Sequence, residues 1–148
     1  MNNPSLLLKS LRAALATAAL AGCAHAGAGE LVVIVSARSP VATLRAEQVA
    51  DIFLGQIGSF PGGTEAVALD QRIGSPERDA FYAKVAAKSP PLLKAYWTKM
   101  IFTGRGQPPK EVADSAAIRR MVADNPEMIG YIDRNALDPS VKAVLVVR

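Results

Sequence analysis

Strands alternating with helices between residues 31 and 147 predict a small three-layer α/β domain, one sheet covered on both faces. Three stretches carry that expectation. Residues 31–35, Leu-Val-Val-Ile-Val, are a continuous β-branched run, the pattern of a strand buried on both sides. Residues 75–77, Ser-Pro-Glu, read as a helix start: a capping hydroxyl, a proline at the first helical position and an acid in the first turn. Residues 129–132 and 141–147 are apolar enough to close the sheet.

The elements follow in order. Ser36-Ala37-Arg38-Ser39-Pro40 ends the first strand as a loop. Thr43 is placed to cap a short helix whose apolar positions Leu44, Val49, Ile52 and Phe53 recur at helical spacing, and Gly55 stops it. Phe60-Pro61-Gly62-Gly63 is a turn, and residues 66–69 are a second short strand. The helix opened by Ser75 turns Phe81, Tyr82 and Val85 inward. Ser89-Pro90-Pro91 opens the next, with Leu92, Leu93, Tyr96, Trp97 and Ile101. Asp114 or Ser115 caps a further helix carrying Ile118, Met121 and Val122, which ends at Asn125-Pro126. The sequence shows no internal repeat, low-complexity stretch or second domain.

The first 26 residues read as a leader rather than as fold. Lys9 and Arg12 precede a small-apolar run of residues 13–22, and Ala24-His25-Ala26 fits a cleavage site. A run of about ten residues is too short for the roughly twenty that span a bilayer. Two processing routes stay open. Ordinary cleavage would leave Gly27 first, so that residues 1–26 are a signal peptide and 27–148 an exported domain. Leu20-Ala21-Gly22-Cys23 also resembles a lipobox, in which Cys23 would be lipidated and the protein anchored to the envelope. The short distance from Cys23 to the first strand favours the soluble form.

Composition narrows the chemistry. The leader holds two of the 17 basic residues and none of the 13 acidic ones, so the charge falls from +4 to +2 on processing. Basic residues are scattered, with only Arg119 and Arg120 adjacent, which argues against a nucleic-acid partner. The chain has one Cys and one His, Cys23 and His25, both in the leader. The domain is therefore expected to lack disulfides, a thiolate nucleophile, a Cys/His zinc site and a Ser-His-Asp triad, and to need no cofactor. Carboxylates, hydroxyls, cations and backbone amides remain, an inventory suited to binding rather than bond-breaking. Asp51, Asp70 and Asp79 are carboxylates that nothing in the sequence pairs or buries, so no enzyme is expected.

Gly74-Ser75 is the strongest chemical feature. Free N–H groups and the positive end of a helix dipole meet there, which favours an anion, and Arg72 and Arg78 lie close enough in sequence to add charge. Plain helix capping explains the same residues. Pro76 removes a donor and Glu77 sets negative charge beside the anion. Ser36, Arg38 and Ser39 follow the first strand and are expected at the edge where the loop after Leu69 emerges, so they could complete a polar pocket; an ordinary strand-end loop is the alternative. Residues 101–109 hold two glycines but no Gly-Lys-Ser/Thr, follow a helix and contain two prolines, so they read as a rigid turn. Tyr96 and Trp97 could stack on a ligand, though their spacing with Leu93 and Ile101 favours core packing.

Several of these stretches together form a pattern. Ser36-Ala-x-Ser39-Pro40, Asp51-Ile52-Phe53-Leu54-Gly55, Asp70-Gln71 before Gly74-Ser75, and Asn125-Pro126-x-x-Ile129-Gly130-Tyr131 resemble the second lobe of phosphate ABC transporter substrate-binding proteins. The likeness covers residues 31–147 and is nearest to short, single-lobe members with a type II periplasmic-binding-protein fold. It implies a non-enzymatic, exported solute-binding protein, with phosphate or a similar anion as ligand and an ABC transporter as partner. An envelope protein-interaction module on the same fold is the alternative. The expected ligand contacts are Ser36, Ser39, Gln71, Gly74, Ser75 and Arg78: the resemblance implies the positions of Gln71, Gly74 and Ser75, and the residue pattern adds the other three. The family's Arg-x-x-Gly-Ser-Gly-Thr is only partly kept: Gly74 and Ser75 match, while Gln71, Pro76 and Glu77 stand for the Arg, the next Gly and the Thr. The expected partners are the anion and an ABC transporter or other envelope protein, with no nucleic acid, and with membrane only through a lipidated Cys23.

Overall fold

The computed structural model describes residues 29–148; the leader, Cys23, His25 and both processing routes lie outside the described residues. The chain runs β1 (Leu31–Ser36), α1 (Ala46–Phe53), β2 (Val67–Gln71), α2 (Pro76–Ala86), α3 (Pro90–Phe102), β3 (Lys110–Val112), α4 (Ser115–Asp124), β4 (Met128–Asp133), a 3-10 turn (Arg134–Ala136) and β5 (Val141–Val147). The five strands form one mixed sheet in the order β3-β2-β4-β1-β5. β2 is parallel to β3 and β4, whereas β1 is antiparallel to both β4 and β5.

The β-branched run at the start does what its composition requires. Leu31, Val33 and Val35 face one layer with Phe53, Phe81, Tyr82, Leu93 and Trp97 of α1, α2 and α3. Val32 and Ile34 face the other, against Ile118 and Val122 of α4. Alternation of side chains along one strand thus feeds two cores, and the domain has three layers. Gly130 lets the α4 layer close on the sheet, because a Cβ there would collide with Cγ2 of Ile118.

Local details depart from expectation in four places. Thr43 is not the α1 cap. Arg45 holds that position, with the Gln48 side chain accepting its N–H at 2.9 Å, while the Thr43 hydroxyl donates to the Val144 carbonyl at 3.3 Å. Val144 is the extra residue where β5 slips register against β1, so its carbonyl is free for the incoming loop, including Leu44 N–H at 3.0 Å. The second strand extends to Gln71, beyond the expected apolar stretch, because its polar end is buried and bonded. Leu92 and Ile101 are exposed on opposite flanks of α3 rather than in the core, leaving Leu93 and Trp97 as its buried residues. Finally, residues 110–112 add β3 to the sheet edge, a strand too short and polar to announce itself.

Ser75 and Asp114 cap α2 and α4 as their residue types predict. The Ser75 hydroxyl accepts the Arg78 N–H at 3.3 Å and the Asp114 carboxylate accepts the Ala117 N–H at 2.8 Å. Among the described residues no helix is long and apolar enough to cross a membrane.

Candidate functional site

Asp70, at the end of β2, is almost fully buried and organises the corner where β2 leads into α2. Four donors converge on its carboxylate. Gln71 N–H donates to Oδ1 at 2.9 Å, and the Tyr131 hydroxyl donates to the same oxygen in a short bond. Arg78 Nε and the Tyr82 hydroxyl donate to Oδ2 at 3.0 and 2.9 Å. Phe81 stacks on Tyr131 with ring centres 3.8 Å apart and meets Phe53 edge-on at 4.8 Å, so the hydroxyls are held by a packed aromatic cluster.

Burial pushes the Asp70 carboxyl above its ordinary value, against the pull of Tyr131, Arg78 and Tyr82. Burial and the Asp70 charge push the Tyr82 and Tyr131 hydroxyls far above theirs, which keeps both as donors. The Arg78 guanidinium is also held above its usual value: burial opposes its charge, but Asp70 beside it outweighs that cost. Asp70 therefore has the partners that the sequence did not reveal.

Only the Nε side of Arg78 is engaged by Asp70. Its terminal nitrogens have no acceptor among the described residues, and the side chain lines a hollow of about 810 Å³ between the start of α2 and α3. Ile73, Pro90, Pro91, Trp97, Ile101 and Pro108 make its walls apolar. Gly74, Asp79, Lys94 and Thr98 supply the polar rim. Gly74 has φ +86°, a left-handed conformation that suits glycine and turns the chain into α2. The Ser75 hydroxyl accepts from Arg78 N–H and keeps its own proton for a further acceptor.

The remaining expected contacts are distributed differently. Gln71 is buried, and its amide donates to Ser115 Oγ at 3.1 Å and the Tyr131 carbonyl at 3.2 Å, so it braces β2 against β4 and α4. Ser36 and Ser39 do not join this corner. Val35 and Ala68 both pair with Ile129, which puts the end of β1 level with the start of β2, about 10 Å of strand away from Gln71. The cause is direction: β1 is antiparallel to β4 and β2 is parallel to it, so their carboxyl ends lie at opposite edges. At its own edge the Ser36 hydroxyl donates to the Ala123 carbonyl at 3.1 Å, and Arg38 donates to the Ala123 and Asp124 carbonyls at the end of α4. Ser39 Oγ accepts the Val41 N–H at 3.2 Å. Tyr96 donates to the Leu54 carbonyl at 2.6 Å and packs edge-on against Trp97. Among the described residues no cluster of His, Cys, Asp and Glu could hold a metal ion.

Solved structures with this architecture are found by comparison. A protein assigned as a phosphate ABC transporter substrate-binding protein from Clostridium perfringens, solved with phosphate bound, superposes with a TM-score of 0.61 at 29% identity over 79% of this chain. The chain has the fold of phosphate ABC transporter substrate-binding proteins. An ABC-type phosphate transport receptor from Vibrio cholerae gives a TM-score of 0.62 at 21% identity, and PstS from Borrelia burgdorferi 0.56 at 16%, each over 79% of this chain. The chain spans 45% to 47% of the length of these three proteins. No family model and no curated protein matches the sequence. Within this phosphate-binding-protein-like fold, Asp70 and Tyr131, which belong to two separate stretches of the sequence pattern, are one hydrogen-bonded unit. Gly130, beside Tyr131 in its stretch, and Phe53, from the stretch of residues 51–55, serve packing. Much of the pattern therefore builds the scaffold under Arg78.

Proposed function

We propose that the protein is an exported, non-enzymatic solute-binding lobe that takes phosphate or a related oxyanion at the corner formed by Gly74, Ser75 and Arg78, and serves an ABC transporter of the envelope. The observation that carries this reading is the state of Arg78. Its guanidinium is fixed from behind by Asp70, its terminal nitrogens have no acceptor among the described residues, and the side chain lines an open hollow together with Gly74, next to the Ser75 cap of α2. A pre-positioned guanidinium beside helix N–H groups is suited to a planar or tetrahedral oxyanion. Gln71 cannot take the cation's place because its amide nitrogen already donates both hydrogens, to Ser115 Oγ and the Tyr131 carbonyl. The likeness to proteins named for phosphate transport supports the ligand class and the transporter partner. The leader supports a periplasmic location, or lipid anchoring through Cys23.

A thermal-shift titration with phosphate tests the reading. A ligand at a hundred times its Kd stabilises the folded state by about 2.7 kcal/mol, so the melting temperature should climb with concentration. Arg78→Lys, which keeps a charge but loses the forked donors, should blunt that rise. A second reading, an envelope protein-interaction module, is favoured by one observation: Ile73, Leu92, Ile101 and Phe102 are all exposed, Ile73 and Ile101 within the hollow and Phe102, at the end of α3, by 91%. Silence toward phosphate and sulfate, with capture of a defined envelope partner lost in Phe102→Ser, would decide for it.

A further inference from the structure

We propose that the hollow between α2 and α3 binds a small organic carboxylate, with the carboxylate on Arg78 and an apolar body against the α3 wall. This rests on the anion-binding reading above and specifies the ligand class of that site. Inorganic phosphate is a small, strongly hydrated anion, and it would leave most of an 810 Å³ hollow and its apolar wall in contact with water. Hollows of this size ordinarily enclose organic ligands, with apolar walls and a few directing polar groups. The wall here is proline, isoleucine and one indole, and Ile73 and Ile101 are exposed within it.

Charge points the same way. Arg78 and Lys94 face the hollow, but Asp79 also lines it and Asp70 sits behind the guanidinium. A dianion would have little uncompensated positive charge to meet, whereas one carboxylate matches the two open nitrogens of Arg78 in a bidentate pair. A second feature is Trp97, whose indole gives the hollow an aromatic surface against which an apolar ligand body can pack.

Trp97 is also the single tryptophan of the chain, so its fluorescence reports on the site directly. The experiment titrates the processed protein with 4-phenylbutyrate, its neutral amide, acetate and inorganic phosphate, following fluorescence and melting temperature. The acid should bind at least about tenfold more tightly than the amide, acetate or phosphate. Ile101→Asp, a change on the exposed side of α3 that sets a charge in the apolar wall, should weaken it by a similar factor while the melting temperature without ligand holds. Equal binding of acid and amide would overturn the proposal by showing no anion contact. Binding of phosphate with no preference for the acid would overturn it while leaving the anion-binding reading intact. No response to any of the four would end both.

Discussion

The Tyr131 hydroxyl shows how much of this corner depends on single polar atoms. It donates to buried Asp70 and accepts the Gln71 N–H at 3.2 Å, so Tyr131→Phe leaves the carboxylate short of one donor and the amide of one acceptor. Hydrogen bonds to charged groups contribute roughly 1.5–3 kcal/mol, and denaturant unfolding of Tyr131→Phe should show a loss in that range. Asp70 carries the pH dependence. Its folded value is raised above the ordinary 3.8 by burial, so its contribution to stability is complete below that value and is lost as pH rises through the raised one. The advantage of the native chain over Asp70→Asn should therefore be larger at about pH 4 than at about pH 7. An advantage that instead grew with pH would show the carboxylate to be held ionised. Asp138 acts with the opposite sign, because the Ser140 hydroxyl and N–H hold its carboxyl below the usual value, and whatever it contributes is lost as pH falls.

Two elements decide the geometry around Arg78. α2 starts where it does because Ser75 caps it and Pro76 occupies its first turn without wasting a donor. Ser75→Ala should cost about 0.5–2 kcal/mol of stability and also loosen Arg78, whose own N–H is the capped group. Ser75→Asp would restore the cap and the stability, yet repel an anion, so the two variants separate folding from binding. α4 approaches β4 closely only because position 130 has no side chain. Gly130→Ala forces Ile118 outward, and the overpacking should cost roughly 1–3 kcal/mol by thermal or chemical denaturation. The fold elements were largely legible in the residues: β-branched runs for strands, Ser-Pro for helix starts, Gly55 for the end of α1. β3 was not, because three residues with an exposed Lys-Glu pair carry no period, and their strand state is imposed by pairing with β2. Leu92 and Ile101 misled because helical spacing identifies an apolar face without saying whether anything covers it.

At the scale of the molecule, strand direction sorts the expected contacts into two places. Had β1 run parallel to β2, the Ser36–Ser39 loop and the Gly74–Ser75 corner would share an edge. With β1 antiparallel to β4, the first loop instead ties off α4 and β5, including a bond from Lys142 Nζ to the Ser39 carbonyl at 2.6 Å. Ser39→Ala should therefore leave anion affinity unchanged within a factor of two or so and reduce stability slightly, a result that a thermal-shift titration separates from Ser75→Asp. Export belongs to this scale as well. Intact mass of the envelope-fractionated protein should show Gly27 first, or else a diacylated Cys23, and retention of residues 1–26 would remove the basis for a periplasmic role.

By itself the sequence determined the alternation of strands and helices, the burial of the first strand on two faces, the cap at Ser75 and the narrow stock of catalytic chemistry, since each follows from residue type and local spacing. Tertiary structure alone decided that Asp70, Tyr82, Arg78 and Tyr131 meet. It also decided that Gln71 faces inward and that Ser36 lies at the far edge. Those facts depend on which strands are neighbours and which way they run, and pairing between segments sixty residues apart leaves no periodic trace in either one.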